Sequence, residues 1–213
     1  MILFSGRTCN VKWTQSIAPS WCKTQYFKRL RKIRGGKSIT DNGRNNKVII
    51  GKNCRLEGCH IIFNGNNNTL KIGDNCHLQR SVLYLIDDNN TLEIGDNNAW
   101  GAGVNIIPEE GTTITIGSDC QFAVNVYVRS SDGHSIISNE TNSRINPALD
   151  IHIGDRCWIG ENAKILKGAN ISNDNVIGAC SIVTKGDYES NSVYVGNPAR
   201  KVKGNIHWVV PRI

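Results

Sequence analysis

No apolar run of about 18 residues occurs in the chain, so no segment can cross a membrane as a helix. The opening residues, MILFSGRTCNVKW, lack the long apolar stretch and small-residue cleavage site of a secretory signal. Eight cysteines are present, but no Cys-x-x-Cys or paired Cys/His spacing, so neither a zinc site nor a disulfide framework is expected. Residues 1–37 contain no acid at all, and they carry nine of the lysines and arginines. The whole chain has a net charge of +7, which leaves the remainder at −2. The basic balance therefore belongs to an N-terminal arm. No nucleic-acid recognition module is visible in it, and no nucleic-acid partner is expected.

What the chain does have is a period of six. Ile153, Ile159, Ile165, Ile171, Ile177 and Val183 follow one another without a slip. Four residues after each of the first five comes a small or compact side chain: Cys157, Ala163, Ala169, Asn175 and Ser181. This period fits neither a helix nor a simple alternating strand, and it marks a solenoid. Six residues make one short strand and a corner. Three such strands close a triangular coil, and coils must stack because none can bury its own face alone. The same phase runs back through Ile50-Leu56-Ile62, Ile72-Leu78-Tyr84, Ile94-Trp100-Ile106 and Ile116-Phe122-Val128. The reading is all-β: a parallel β-helix of about six triangular coils over residues 38–186. Residues 1–37 form a basic arm, partly helical, and 187–213 form a C-terminal tail.

The interruptions carry information too. Extra residues fall after Ile62, Tyr84 and Ile106, always after the third hexapeptide, and are rich in Asn, Asp and Glu. They must emerge from one corner, stacked on each other. A far longer excursion, residues 129–152, leaves the same corner, and a long ordered loop on a rigid scaffold usually carries function. No insert separates Ile165 from Ile171, which leaves that corner bare beside the loop as one side of a cleft. Cys54, Cys76, Cys120 and Cys157 share one small-residue slot, with Asn98 between, and are expected to stack as small buried hydrophobes. Free buried thiols suit a reducing cytoplasm. Within the arm, Tyr26, Phe27, Leu30 and Ile33 have roughly helical spacing. The arm reads as a cap over the first coil or as a contact to an anionic polymer or a membrane surface. The chain is expected in the cytoplasm, at most peripheral to the inner membrane.

His134 is the one histidine placed inside the long loop, within Ser131-Asp132-Gly133-His134, since His152 at its end falls beside a coil, and histidine is the side chain most readily poised as a base near neutral pH. Asp132 is close enough in sequence to bias its tautomer. Trp158 points outward, as an interface residue or a ligand platform. Together with Ile153-Gly-Asp-Arg-Cys-Trp158-Ile-Gly160, Val176-Ile-Gly-Ala-Cys-Ser-Ile-Val-Thr-Lys185 and Val195-Gly-Asn-Pro-Ala-Arg200, this loop resembles the hexapeptide-repeat acyltransferases, in particular the sugar and capsular-polysaccharide O-acetyltransferases. The resemblance covers about residues 48–204.

The resemblance implies a left-handed parallel β-helix, a homotrimer, and acetyl-CoA lying between neighbouring prisms. It implies His134 as general base, with Trp158 and Asp132 lining the active site and Asn105 near an acceptor-binding position. Gly160 and Ala179 would offer backbone to the pantetheine arm, and Thr184, Lys185, Arg200 and Lys203 would face the nucleotide. The implied reaction is acetyl transfer to a sugar hydroxyl, on a capsular or O-antigen polysaccharide or its precursor, with an anionic glycan suggested by the basic arm. The alternatives are N-acylation of a nucleotide-linked amino sugar and a scaffold without activity. The paired histidines of a γ-type carbonic anhydrase are absent, as is the large helical domain of serine acetyltransferase.

Overall fold

The structure is a computed structural model that describes residues 38–213. The N-terminal arm and its expected helix lie outside the described residues. Twenty-two short strands build three walls of seven, seven and eight strands, with every strand bonded in parallel to the one a full turn away except the last. The first wall contains His60–Asn64, Val82–Ile86, Asn105–Ile107, Tyr127–Arg129, Lys164–Leu166 and Ile182–Val183. The second contains Thr69–Ile72, Thr91–Ile94, Thr113–Ile116, Ile151–Ile153 and Ala169–Ile171. The third contains His77–Gln79, Ala99–Trp100, Gln121–Phe122, Trp158–Ile159 and Val176–Ile177. Six full coils correspond to the six triplets of the period. Ser38–Asp41 adds a strand before them.

The period works because each inward position stacks on its counterpart one turn away. Ile72, Ile94, Ile116, Ile153 and Ile171 pair in register down the second wall. All are at most 3 % exposed, so each contributes on the order of 1.5–3 kcal/mol of apolar burial. Trp100 and Phe122 stack inside the prism with centroids 4.8 Å apart. The corners need left-handed backbone, and asparagine supplies more of it than any other residue, at Asn53, Asn67, Asn75, Asn97, Asn125 and Asn162 among others.

Two expectations need correction. Ile62 and Tyr84 do not point inward; Ile61 and Phe63, then Leu83 and Leu85, fill those positions. The small slot residue comes three residues after Leu56 (Cys59) and after Leu78 (Ser81), but four after Trp100 (Val104). One residue fewer at the corner flips every later side chain of the strand. The β-helix also does not stop at 186. Gly186–Tyr188 continues the second wall, and Val193–Gly196 the third. Ala199–Lys203 then folds back antiparallel as an edge strand. Tyr188 and Tyr194 meet edge-on at 4.9 Å near this end.

The cysteine slot is more than filler. Corner carbonyls lie outside the wall ladders, and the slot residue donates to the one in the next coil. Cys54 Sγ reaches Gly73 O at 3.0 Å, Cys76 reaches Gly95 O at 3.1 Å, and Cys120 reaches Gly154 O at 3.2 Å. Asn98 does the same through Nδ2 to Gly117 O at 2.9 Å. The thiol of Cys120 is held protonated, its pKa raised first by its contact with Cys157 and then by burial. Among the described residues, Cys54, Cys76, Cys120, Cys157 and Cys180 are free thiols.

Candidate active site

The long loop leaves the corner between the first and second walls, as the inserts do. It is ordered by its own hydrogen bonds. Leu149 N–H donates to Ser130 O at 3.0 Å and closes the neck. Residues 136–145 form a small hairpin, in which Ile145 N–H donates to Ile136 O at 2.9 Å and Ile137 bridges Arg144. Gly133 has φ +78, a conformation that favours glycine.

The hub of the loop is Asn146, 7 % exposed. Its Nδ2 donates to His134 O and to Asp132 Oδ2, both at 2.8 Å, and its Oδ1 accepts the Ile136 N–H at 2.6 Å. The two residues flanking Gly133 are thus fixed by one carboxamide. Lys167 Nζ donates to Asp132 Oδ2 at 2.5 Å and to Asn146 O at 3.1 Å. The corner below the loop is therefore not bare: Lys167 reaches up from it. Lys167 first and Asn146 second hold the Asp132 carboxyl below its usual range. Through Oδ2, which accepts from both, Asp132 anchors the loop.

Two glutamates of the preceding turn complete the anchorage. Glu109, 4 % exposed, takes the Arg129 guanidinium through both oxygens at 2.8 and 2.9 Å. Glu110 takes Arg144 at 2.6 and 2.8 Å and the Ser131 hydroxyl at 2.5 Å. The Arg144 bond first and the Ser131 bond second lower the Glu110 pKa to about 2. His134 itself is exposed, and its ring has no hydrogen-bond partner among the described residues. Of the other histidines, His60, His77 and His152 sit in wall strands and His207 in the tail.

The remaining expected residues divide between places. Asn105 lies on the first wall, half-buried, its Nδ2 donating to Gly103 O at 2.8 Å. Trp158 lies on the third wall, the side of the prism opposite the loop corner. It is 45 % exposed, with Trp208 of the tail 6.1 Å away between centroids. Trp208 is itself fixed by Nε1 donating to Arg156 O at 2.7 Å. Gly160 and Ala179 stack at the corner between the third and first walls, so closely that a Cβ on Gly160 would meet Ala179 N at 2.6 Å. Thr184 and Lys185 lie at the loop corner, where Thr184 N–H donates to the Tyr188 hydroxyl at 3.1 Å. Arg200 and Lys203 lie on the edge strand of the third wall. Lys185, Arg200 and Lys203 are exposed and have no acidic partner among the described residues. One chain thus keeps His134 on one edge and Trp158, Gly160 and Ala179 on another.

Sequence reasoning missed Asn146, Glu109, Glu110 and Lys167. Nothing in the spacing signals a carboxamide that reaches back over ten residues.

No protein-family model matches the chain. The solved structure of the polySia-specific acetyltransferase NeuO is 32 % identical, covering 82 % of this chain and 89 % of that one, with a TM-score of 0.62. The polysialic acid O-acetyltransferase OatWY is also 32 % identical, over 83 % of this chain and 93 % of that one, with a TM-score of 0.63. The chain belongs to the hexapeptide-repeat acyltransferase family. Its prism is the left-handed parallel β-helix of that family. A curated relative, the polysialic acid O-acetyltransferase of Escherichia coli O1:K1 / APEC, is 40 % identical over 84 residues. That match covers 39 % of this chain and 27 % of the relative's length.

Proposed function

We propose that the protein transfers an acetyl group from acetyl-CoA to a sugar hydroxyl of a glycan, with His134 as general base. The observation that carries this reading is the His134 loop: a lone exposed imidazole on a backbone fixed by Asn146, in a chain of this family. A sugar hydroxyl is far too weak an acid to ionise near neutrality, so its proton must leave as it attacks. The imidazole accepts that proton while the hydroxyl oxygen attacks the thioester carbonyl. The carbon–sulfur bond then breaks, and the CoA thiolate takes the proton back.

The co-substrate fits the residues present. At one corner the exposed Ala179 stacks directly on the buried Gly160, and a pantetheine arm can lie against the backbone at Ala179. The unpaired Lys185, Arg200 and Lys203 suit its phosphates. The acceptor is a capsular or related polysaccharide, by analogy with relatives named for polysialic acid.

The working unit in this reading is a homotrimer. The outward face of the first wall carries Ile62, Tyr84, Ile86, Ile107, Tyr127 and Leu166, all only half-buried in one chain. Three copies that pack this wall around an axis bring the loop corner of one against the Gly160 corner of the next. His134 then meets Trp158, Gly160 and Ala179 across the interface. In this reading the protein works in the cytoplasm, and the basic residues of 1–37 suit contact with a membrane surface or an anionic glycan.

The test is His134→Ala. General-base help is worth on the order of 10²–10⁴ in rate. The variant should lose that much kcat while binding acetyl-CoA as wild type does. Near wild-type turnover would remove His134 from the mechanism.

A further inference from the structure

The corner that carries the His134 loop begins well before it. Three coil levels nearer the start of the prism, stacked turns leave a groove of about 500 Å³ lined by Arg44, Asn45, Asn66, Asn67 and Asp88. Its floor is tied together. Arg44 N–H donates to Asn66 Oδ1 at 2.9 Å, and Asn45 Nδ2 to Asn67 Oδ1 at 3.3 Å. Asn66 donates to Asp88 Oδ1 through its backbone N–H at 2.7 Å and through Nδ2 at 3.0 Å.

These bonds leave a set of polar groups unspent. The Arg44 guanidinium, Asn67 Nδ2, Asn45 Oδ1 and Asp88 Oδ2 have no partner among the described residues. Donors and acceptors are mixed and no apolar side chain lines the groove. That chemistry matches a sugar, whose hydroxyls both donate and accept. It does not match an apolar ligand.

The groove is also joined to the loop. The turn that carries Asp88 is bonded through Asp87 Oδ2 to Glu110 N–H at 3.3 Å, and Glu110 holds Arg144 and Ser131 of the loop. Three strand spacings separate the Asn66 turn from the loop, roughly 14 Å. A monosaccharide cannot touch both places, and a chain of several sugars can. Near His134, Arg129, Arg144 and Lys167 are each paired with an acid. Arg44 is in no ion pair among the described residues, so it is a cation of this edge that can meet a sugar carboxylate.

We propose that this groove is a remote subsite for an extended glycan acceptor, holding sugars several units along the chain from the one presented to His134. It rests on the O-acetyltransferase reading and adds polymer recognition to it. The subsite makes the enzyme prefer long acceptors, since only they span both places.

The test measures binding to the full chain, without acetyl-CoA, of two probe series: α2,8-linked sialic acid and dextran, each as a disaccharide and as a long polymer. Wild type should bind the polymer of one series more tightly than its disaccharide. Arg44→Ala and Asn67→Gly should each reduce that length advantage by about threefold to tenfold, the worth of one or two hydrogen bonds. Asn67→Gly keeps the left-handed backbone at φ +57, so its effect reads the side chain. Loss of the advantage in the sialic acid series alone assigns an anionic acceptor with Arg44 on its carboxylate; loss in the dextran series alone assigns a neutral one. A length advantage that survives both substitutions, or none in either series, overturns the subsite. Acetylation of a short acceptor is assayed in parallel: if it persists while the length advantage is absent, the subsite fails and the transferase reading stands.

Discussion

Replacing Asn146 with alanine removes the hub of the loop while leaving the β-helix untouched. The side chain makes two bonds to neutral backbone groups, Ile136 N–H and His134 O, one to the Asp132 carboxylate, and accepts a longer one from Arg144 Nε at 3.3 Å. Neutral bonds are worth about 0.5–1.5 kcal/mol each, and a bond to a charged group about 1.5–3 kcal/mol. Asp132 keeps Lys167 after the substitution, and water replaces part of the rest. The realistic loss is therefore about 2–3 kcal/mol, local to the loop. If that free energy holds His134 in its working position, kcat falls roughly 30- to 150-fold, at about 1.4 kcal/mol per factor of ten. The KM for acetyl-CoA and the global melting temperature should change little, because neither the Gly160 corner nor the core is involved. Asn146→Asp should fare no better, since it loses both donated bonds and sets a carboxylate against Asp132. The assay is steady-state transfer, with amide exchange at Ile136 as a direct reading of loop order. Faster exchange with unchanged kcat would refute the link between loop order and chemistry; unchanged exchange would refute the role of Asn146 itself.

Acid should loosen the same loop. Glu110 titrates at about 2 in the folded chain against 4.5 for a free carboxyl, held down by Arg144 first and Ser131 second. Its tether is complete above about 4.5 and is lost as pH falls through about 2. Loop exchange should rise in that window, and Glu110→Gln should show the loosened loop already at neutral pH; equal pH dependence in wild type and variant would contradict the assignment. Tyr84→Glu places a charge on the outward face of the first wall and should yield monomers by sedimentation, with loss of transfer but retention of the β-sheet spectrum. A Tyr84→Glu trimer would move the interface to another wall.

The period of six was legible because the prism interior enforces it. One aliphatic side chain per wall per coil must match the one stacked on it, so the pattern could not drift over six coils. The stacked inserts and the loop corner were legible for the same reason: any surplus residues must leave between walls. The phase at Ile62 and Tyr84 was not, because the missing corner residue near Gly58 and Arg80 shifts only the strand after it. That slip conceals a finding, since the side chains taken for core are the outward apolar face of the first wall. His134 could be singled out because histidine in a long insert is chemically unusual. Its support could not, because Asn146, Glu110 and Lys167 converge through the folding of the loop onto neighbouring coils, and no local spacing records such contacts.

The central claim is acetyl transfer to a glycan hydroxyl. The most direct measurement mixes the purified protein with acetyl-CoA and a panel of capsule and O-antigen glycans, nucleotide sugars and simple sugars, follows CoA release, and identifies the product by mass spectrometry. The account predicts CoA release that depends on a glycan, an acetyl ester on that glycan, and loss of both in His134→Ala. An acetyl amide on an amino sugar, or no binding of acetyl-CoA at all, would contradict it.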